Sequence, residues 1–337
     1  MAFAREDGSL SVAGFGEMEA RVIFRRCDVD PAYAESPYTP VGIGLDKDGK
    51  RAVLAFWDGG LYGIDTATSG TNEIIPRAEL ERLVSEELPK VETDAAQLRG
   101  EDRLPPDVRA GLSARERPFY SFSHIVCSPD GRFVTTAYHG DALRVWNIET
   151  GECSHHLPMR RRSSFDEGEV RCLKSLPNSS GVVFTTADGA LYCWRFRDVE
   201  KITIRAAPTV GSLNAQAAIA PCGKRVIWVA NWKPMEIRDV TSGKLLAAFP
   251  QRLGFGYANI QFVEWCSEHA IAIVVDNDPY GVSLEVWDSR CFECVAQYPV
   301  SGRVNVLVVS ASSKRLLCCT EDGQSHALSL EEELFKL

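Results

Sequence analysis

The chain has no uninterrupted apolar run long enough to cross a bilayer. Its first residues also lack the apolar core of a secretory signal, because Arg5, Glu6 and Asp7 sit where that core would lie. These two absences predict an intracellular protein, cytoplasmic or nuclear, with no membrane association. Positive charge is short as well: 37 Lys and Arg against 46 Asp and Glu give a formal net charge of -9. A mean field of that sign repels phosphate backbones and anionic lipid, so no direct nucleic-acid binding is predicted. Histidine is scarce, with six residues scattered along the chain. No phosphate-cradling glycine loop, nucleophile elbow or paired-histidine helix occurs, so the sequence predicts a protein that is not an enzyme and holds no cofactor.

Cysteine is not scarce, but its 11 residues are an odd number, and Cys127, Cys172, Cys193, Cys318 and Cys319 lie inside apolar runs. A reduced thiol packs there as a small hydrophobe, which argues against a disulfide framework. Cys291 and Cys294 have ligand-like spacing, but no second pair follows, and a structural zinc needs four ligands; no metal is predicted. Cys153, His155 and His156 also cluster, yet on a strand alternation sends His156 away from the other two.

What the chain does contain is a repeat. An apolar strand, a polar turn, a second apolar strand, an Asp- and Gly-rich turn and a third strand recur, with Thr-Gly or Ser-Gly sometimes leading into a fourth. The best copy runs from Phe122 to Leu157, with turns at Ser128-Pro129-Asp130-Gly131 and His139-Gly140-Asp141. Its middle strand stacks with five others, giving 51–56, 132–137, 182–187, 225–230, 270–275 and 315–320. The spacing is mostly roughly 40 to 50 residues, the period of a four-stranded propeller blade. A further hairpin at the start, Ala2–Arg5 and Ser9–Phe15 with Glu19–Cys27 outside it, resembles the last copy around Glu321-Asp322-Gly323. The expected architecture is all-β: one domain over 1–337 forming a seven-bladed propeller, or alternatively a six-bladed one with an appended hairpin.

Trp146-Asn147, Trp287-Asp288, the degenerate Trp194-Arg195 and the Ser128–Gly131 turn resemble the WD-repeat (WD40) β-propeller family, as a divergent member without its usual Gly-His pairs. The resemblance covers nearly the whole chain and implies a scaffold or adaptor that joins proteins as a subunit of a multiprotein complex. Trp287-Asp288-Ser289-Arg290 is similar to the Trp-Asp-x-Arg box of WD-repeat receptors that dock to the cullin-4 ubiquitin ligase adaptor. That similarity implies an alternative role as a ligase substrate receptor, with Arg290 as the charged contact.

Between the first full repeat and the next, residues 76–118 form a charged insertion. Leu80, Leu83, Val84 and Leu88 recur there at helical spacing, so the insertion is expected to carry an amphipathic helix whose stripe packs on the propeller rim or on a partner. Trp57, Tyr138, Trp232 and Tyr280, near the turns between second and third strands, are the other candidate contacts. Arg161-Arg162-Ser163-Ser164 has the form of a kinase site with basic residues upstream. Because the first hairpin starts at a second strand, its blade is expected to lack an inner strand unless the tail Glu331–Leu337 supplies one. The expected partners are therefore other protein subunits, meeting the insertion or completing that blade.

Overall fold

Strands covered on both faces need unbroken apolar sequence rather than alternation, and runs such as Arg51–Phe56 (RAVLAF) and Gly181–Thr186 (GVVFTT) supply it. In the computed structural model these runs are central strands of antiparallel sheets. The structure describes residues 2–4, 9–12, 21–25, 40–56, 60–75, 122–138, 142–159, 169–198, 201–207, 214–231, 233–249, 259–276, 281–310, 315–321 and 325–329. The 76–118 insertion with Leu80, Leu83, Val84 and Leu88 lies outside them, as do Trp57, Trp232, Tyr280, the side chain of Tyr138 and the Arg161–Ser164 motif.

The described residues form two compact units, Met1–Val170 and Arg171–Leu337. In the first unit, the first sheet is β1 (Ala2–Ala4), β2 (Ser9–Val12) and β3 (Arg21–Arg25). The second is β4 (Pro40–Leu45), β5 (Arg51–Phe56), β6 (Leu61–Asp65) and β7 (Thr71–Glu73). The third is β8 (Phe122–Cys127), β9 (Phe133–Tyr138), β10 (Ala142–Asn147) and β11 (Cys153–Pro158).

The second unit opens with the fourth sheet, β12 (Val170–Ser175), β13 (Gly181–Thr186), β14 (Leu191–Arg195) and β15 (Ile202–Arg205). The fifth is β16 (Ala215–Ile219), β17 (Arg225–Ala230), β18 (Glu236–Asp239) and β19 (Leu245–Ala248). The sixth is β20 (Asn259–Trp265), β21 (Ala270–Asp276), β22 (Val282–Asp288) and β23 (Glu293–Val300). The seventh is β24 (Val304–Ser310), β25 (Arg315–Thr320) and β26 (Ser325–Ser329). Every sheet pairs its strands in chain order, the signature of a meander.

Within each unit, the apolar clusters bridge consecutive sheets. Leu10, Phe24, Leu54, Phe56 and Tyr62 join the first sheet to the second. Ile74, Phe122, Val134 and Trp146 join the second to the third. In the other unit, Leu191, Ile204 and Trp228 join the fourth to the fifth, Ile227, Val263 and Trp287 the fifth to the sixth, and Leu284, Leu307 and Leu316 the sixth to the seventh. The sheets stack face to face, so the middle strands vanish from solvent while outer strands such as β7 stay exposed.

One turn recurs at the end of third strands. Asp65, Asn147, Asp239 and Asp288 each end their strand, and each side chain accepts the backbone N–H two residues on, at 2.8–3.1 Å. The fifth residue is left-handed in all four cases: Ser69, Gly151, Gly243 and Phe292, with φ of 61° to 71°. Its N–H closes the turn on the first residue's carbonyl at 2.9 Å. A bulky side chain is costly at such φ, and Phe292 is held there by edge-on packing against Phe249, 5.0 Å away.

The turn between first and second strands has its own left-handed position, occupied by Gly49, Gly131, Gly223 and, in the fourth sheet, Ser179 at φ 59°. Glycine adopts this conformation without the steric penalty that a Cβ incurs. Ser179→Gly should therefore raise stability by up to about 1 kcal/mol, read as a higher urea midpoint at unchanged slope.

Candidate interaction surfaces

The repeated turns give three carboxylates a structural task. The backbone N–H of Thr68 on Asp65, that of Ser242 on Asp239, and the Arg290 guanidinium on Asp288 hold these three carboxyls below the usual range. A carboxyl with a depressed folded pKa stabilises the fold above its unfolded value and loses that contribution as pH falls through the folded one. Stability should thus decline below about pH 4. Urea midpoints measured from pH 7 to pH 2 should show this, with a shallower acid limb in Asp239→Asn and Asp288→Asn; an unchanged acid limb would count against these caps.

In the predicted Trp-Asp-x-Arg box, Trp287 packs in the core against Phe249 at 5.8 Å, and its indole N–H donates to Glu285 Oε2 at 2.9 Å. Asp288 is the turn cap. Arg290 folds back on it through two bonds, Nε to Oδ1 at 3.1 Å and NH2 to Oδ2 at 2.7 Å. Its side chain remains 42% exposed, against 7% for Asp288, so Arg290 is the member of the box that solvent reaches. Trp146 donates to Thr136 Oγ1 at 3.0 Å, and Trp194 donates to the Asp198 carbonyl at 3.1 Å.

The ten described cysteines are free. Burial pushes the thiols of Cys193 and Cys318 up to about 11 and that of Cys266 to about 12, which suppresses the reactive thiolate. Cys291 is exposed, whereas the Cys294 thiol is directed to the Ala296 carbonyl at 3.3 Å. Among the described residues no group of three His, Cys, Asp or Glu is gathered around a point.

Two charged networks escape sequence reasoning because each joins residues of different sheets, 90 and 31 positions apart along the chain. Lys174 on β12 pairs with Glu264 on β20, passing the alanine-rich β16. Burial works against the lysine's charge, but the Glu264 carboxylate together with Cys172 more than offsets it, so Lys174 is held above the ordinary value. The second network ties the fourth sheet to the fifth. Glu236 Oε2 accepts Arg205 Nε at 3.1 Å and Arg238 Nε at 2.7 Å, and the Arg205 guanidinium lies 3.6 Å from the centre of the Trp228 ring.

In the first unit a cleft of about 370 Å³ opens between the second and third sheets, lined by Arg51, Ile64, Asp65, Gly70, Thr71, Asn72, Ile148 and Glu149. Arg51 NH2 meets Glu149 Oε1 at 2.8 Å, and Asn72 Nδ2 donates to the Ile148 carbonyl at 2.7 Å. Stacking the repeats would have flagged Asp65 as the equivalent of Asp288, but not its proximity to Glu149.

No protein-family model matches the chain, and no curated protein matches it. Among solved structures, the β-propeller domain of Cps50 (Swd1) from Myceliophteria thermophila matches with a TM-score of 0.66 at 11% identity, over 98% of this chain and 93% of that one. The chain has a β-propeller-like fold. At that identity the match concerns architecture alone, and function rests on surfaces.

Proposed function

We propose that this propeller is a non-enzymatic scaffold subunit, a divergent member of the WD-repeat family that joins other proteins in an intracellular complex, cytoplasmic or nuclear. The observation that carries this reading is the propeller-like stacking itself: rigid sheets held by their own capped turns, with chain connections left to vary at the strand ends. In this reading the seven described sheets are the blades of one domain spanning 1–337, and the 76–118 insertion with Leu80, Leu83, Val84 and Leu88 is an interface. Trp57, Tyr138, Trp232 and Tyr280 are further contacts. The match over 98% of the chain to one propeller domain supports a single domain.

A second docking point is the first sheet. β1 lies against β4 as β5 lies against β8, which supports its assignment as a second strand, and among the described residues no strand pairs with its inner edge. In this proposal a strand from a partner completes that blade.

Affinity purification of the tagged chain with mass spectrometry, beside a variant lacking 76–118, tests the reading. A stoichiometric set of partners that shrinks in the variant is expected; no stable partner in either sample would overturn it. The solvent-exposed, Asp288-anchored guanidinium of Arg290 favours one alternative, a substrate receptor of a cullin-4-type ubiquitin ligase. That role requires binding to the ligase adaptor that Arg290→Ala abolishes.

A further inference from the structure

We propose that the partner strand completing the first sheet is a short extended segment with glycine or alanine at the two alternate positions that face β4. This rests on the scaffold reading and deepens it, because it specifies the chemistry of the strand that β1 receives.

The repeat shows how an inner position is filled. In the second, third, fifth and sixth sheets the first strand is five to seven residues long and antiparallel to the second. Its side chains alternate between the preceding sheet and the next. Gly42 and Gly44 of β4 are turned to the third sheet, where a Cβ would lie 3.0 Å from Ile125 Cγ1 and 2.6 Å from Cys127 Sγ. Ala218 on β16 and Ala220 just after it share a cluster with Val263 and Trp265 of β20, and the Trp265 indole N–H donates to the Ala218 carbonyl at 3.1 Å. Small residues on one inner strand thus seat larger ones on the next.

On β4 the larger residues are present, but their cover is not. Ile43 packs on the cluster that joins the first sheet to the second, so Leu45, two residues on, is turned the same way. Register makes Cys127 and Trp265 the counterparts of Leu45: each pairs with the second position of its neighbouring strand, as Leu45 does with Ala52, Cys127 with Val134 and Trp265 with Ile271. Cys127 and Trp265 are 5% and 6% exposed, whereas Leu45 is 39% exposed.

β1 lies against β4, and among the described residues no strand pairs with its inner edge. An unpaired edge and an uncovered leucine therefore occur together. One antiparallel strand with small residues opposite Ile43 and Leu45 answers both. Residues 331–337 (EEELFKL) contain neither glycine nor alanine, which favours another protein as the donor.

The test uses the sequence of β4 itself, which already presents Gly42 and Gly44 in this way. An N-acetylated, C-amidated peptide of residues 40–45, with two lysines at each end for solubility, is titrated into the isotopically labelled full chain. NMR follows the backbone amides of Ala2, Phe3 and Ala4 and the methyls of Leu45. These signals should shift in a saturable way, and a counterpart of equal charge with leucine in place of both glycines should bind at least about fivefold more weakly. Leu45→Glu should weaken binding at least about tenfold. Leu246→Glu, at an exposed leucine on β19, should leave it unchanged.

Unmoved signals, equal binding of the leucine peptide or indifference to Leu45→Glu would each overturn the proposal. Protection of all three β1 amides from hydrogen exchange in the chain alone would also overturn it, because the edge would then be paired from within. A failed titration beside a purified set of partners removes this strand and leaves the scaffold reading standing. A saturable titration with no partner recovered removes the scaffold reading instead.

Discussion

Trp228→Ala should cost about 4 kcal/mol, as befits a large aromatic removed from a closed core. Trp228 is fully buried on β17, within the cluster that joins the fourth sheet to the fifth. Its indole N–H donates to the Gly189 carbonyl at 3.1 Å, and Arg205 stacks on its ring. Truncation therefore leaves a cavity, an unpaired carbonyl and an arginine without its platform, whose charge is still held by Glu236. Trp228→Phe keeps most of the volume and should cost about half as much, leaving mainly the carbonyl unpaired. Urea denaturation of both variants would measure the difference; a cost below about 1 kcal/mol for alanine would mean that the cluster collapses into the gap.

Gly151→Ala should be nearly as damaging, at about 3 kcal/mol, for a different reason. Gly151 sits at φ 71°, and a Cβ added there would meet the Ile74 carbonyl oxygen of the second sheet at 2.5 Å. The obstacle is backbone, which cannot rotate away. Gly49 provides the comparison, since its φ is 67° but a Cβ at that position would have nothing within 4 Å. Gly49→Ala should therefore show the conformational cost alone, about 1 kcal/mol. If the two alanine variants lose stability equally, the close approach of the third sheet's turn to the second sheet contributes nothing.

The middle strands were legible because their faces are both covered. Residues 51–56, 225–230 and 315–320 are strands at the predicted bounds, and 132–137, 182–187 and 270–275 differ by a single residue at one or both ends. The initial hairpin was equally readable, with β1, β2 and β3 inside the expected segments. Trp287 and Arg290 show the opposite case. The motif places them three residues apart, but strand geometry buries the first in a seam and leaves the second to solvent.

By itself, the sequence determined the strand repeat and the β class, because apolar runs are local signals that act within a few residues. The tertiary structure alone decided which charges meet. Lys174 and Glu264 are 90 residues apart, and Arg51 and Glu149 98, with intervening strands that carry no sign of the pairing. Such contacts depend on the angle and spacing at which one sheet stacks on the next, and these arise from packing summed over whole faces rather than from any short stretch of chain.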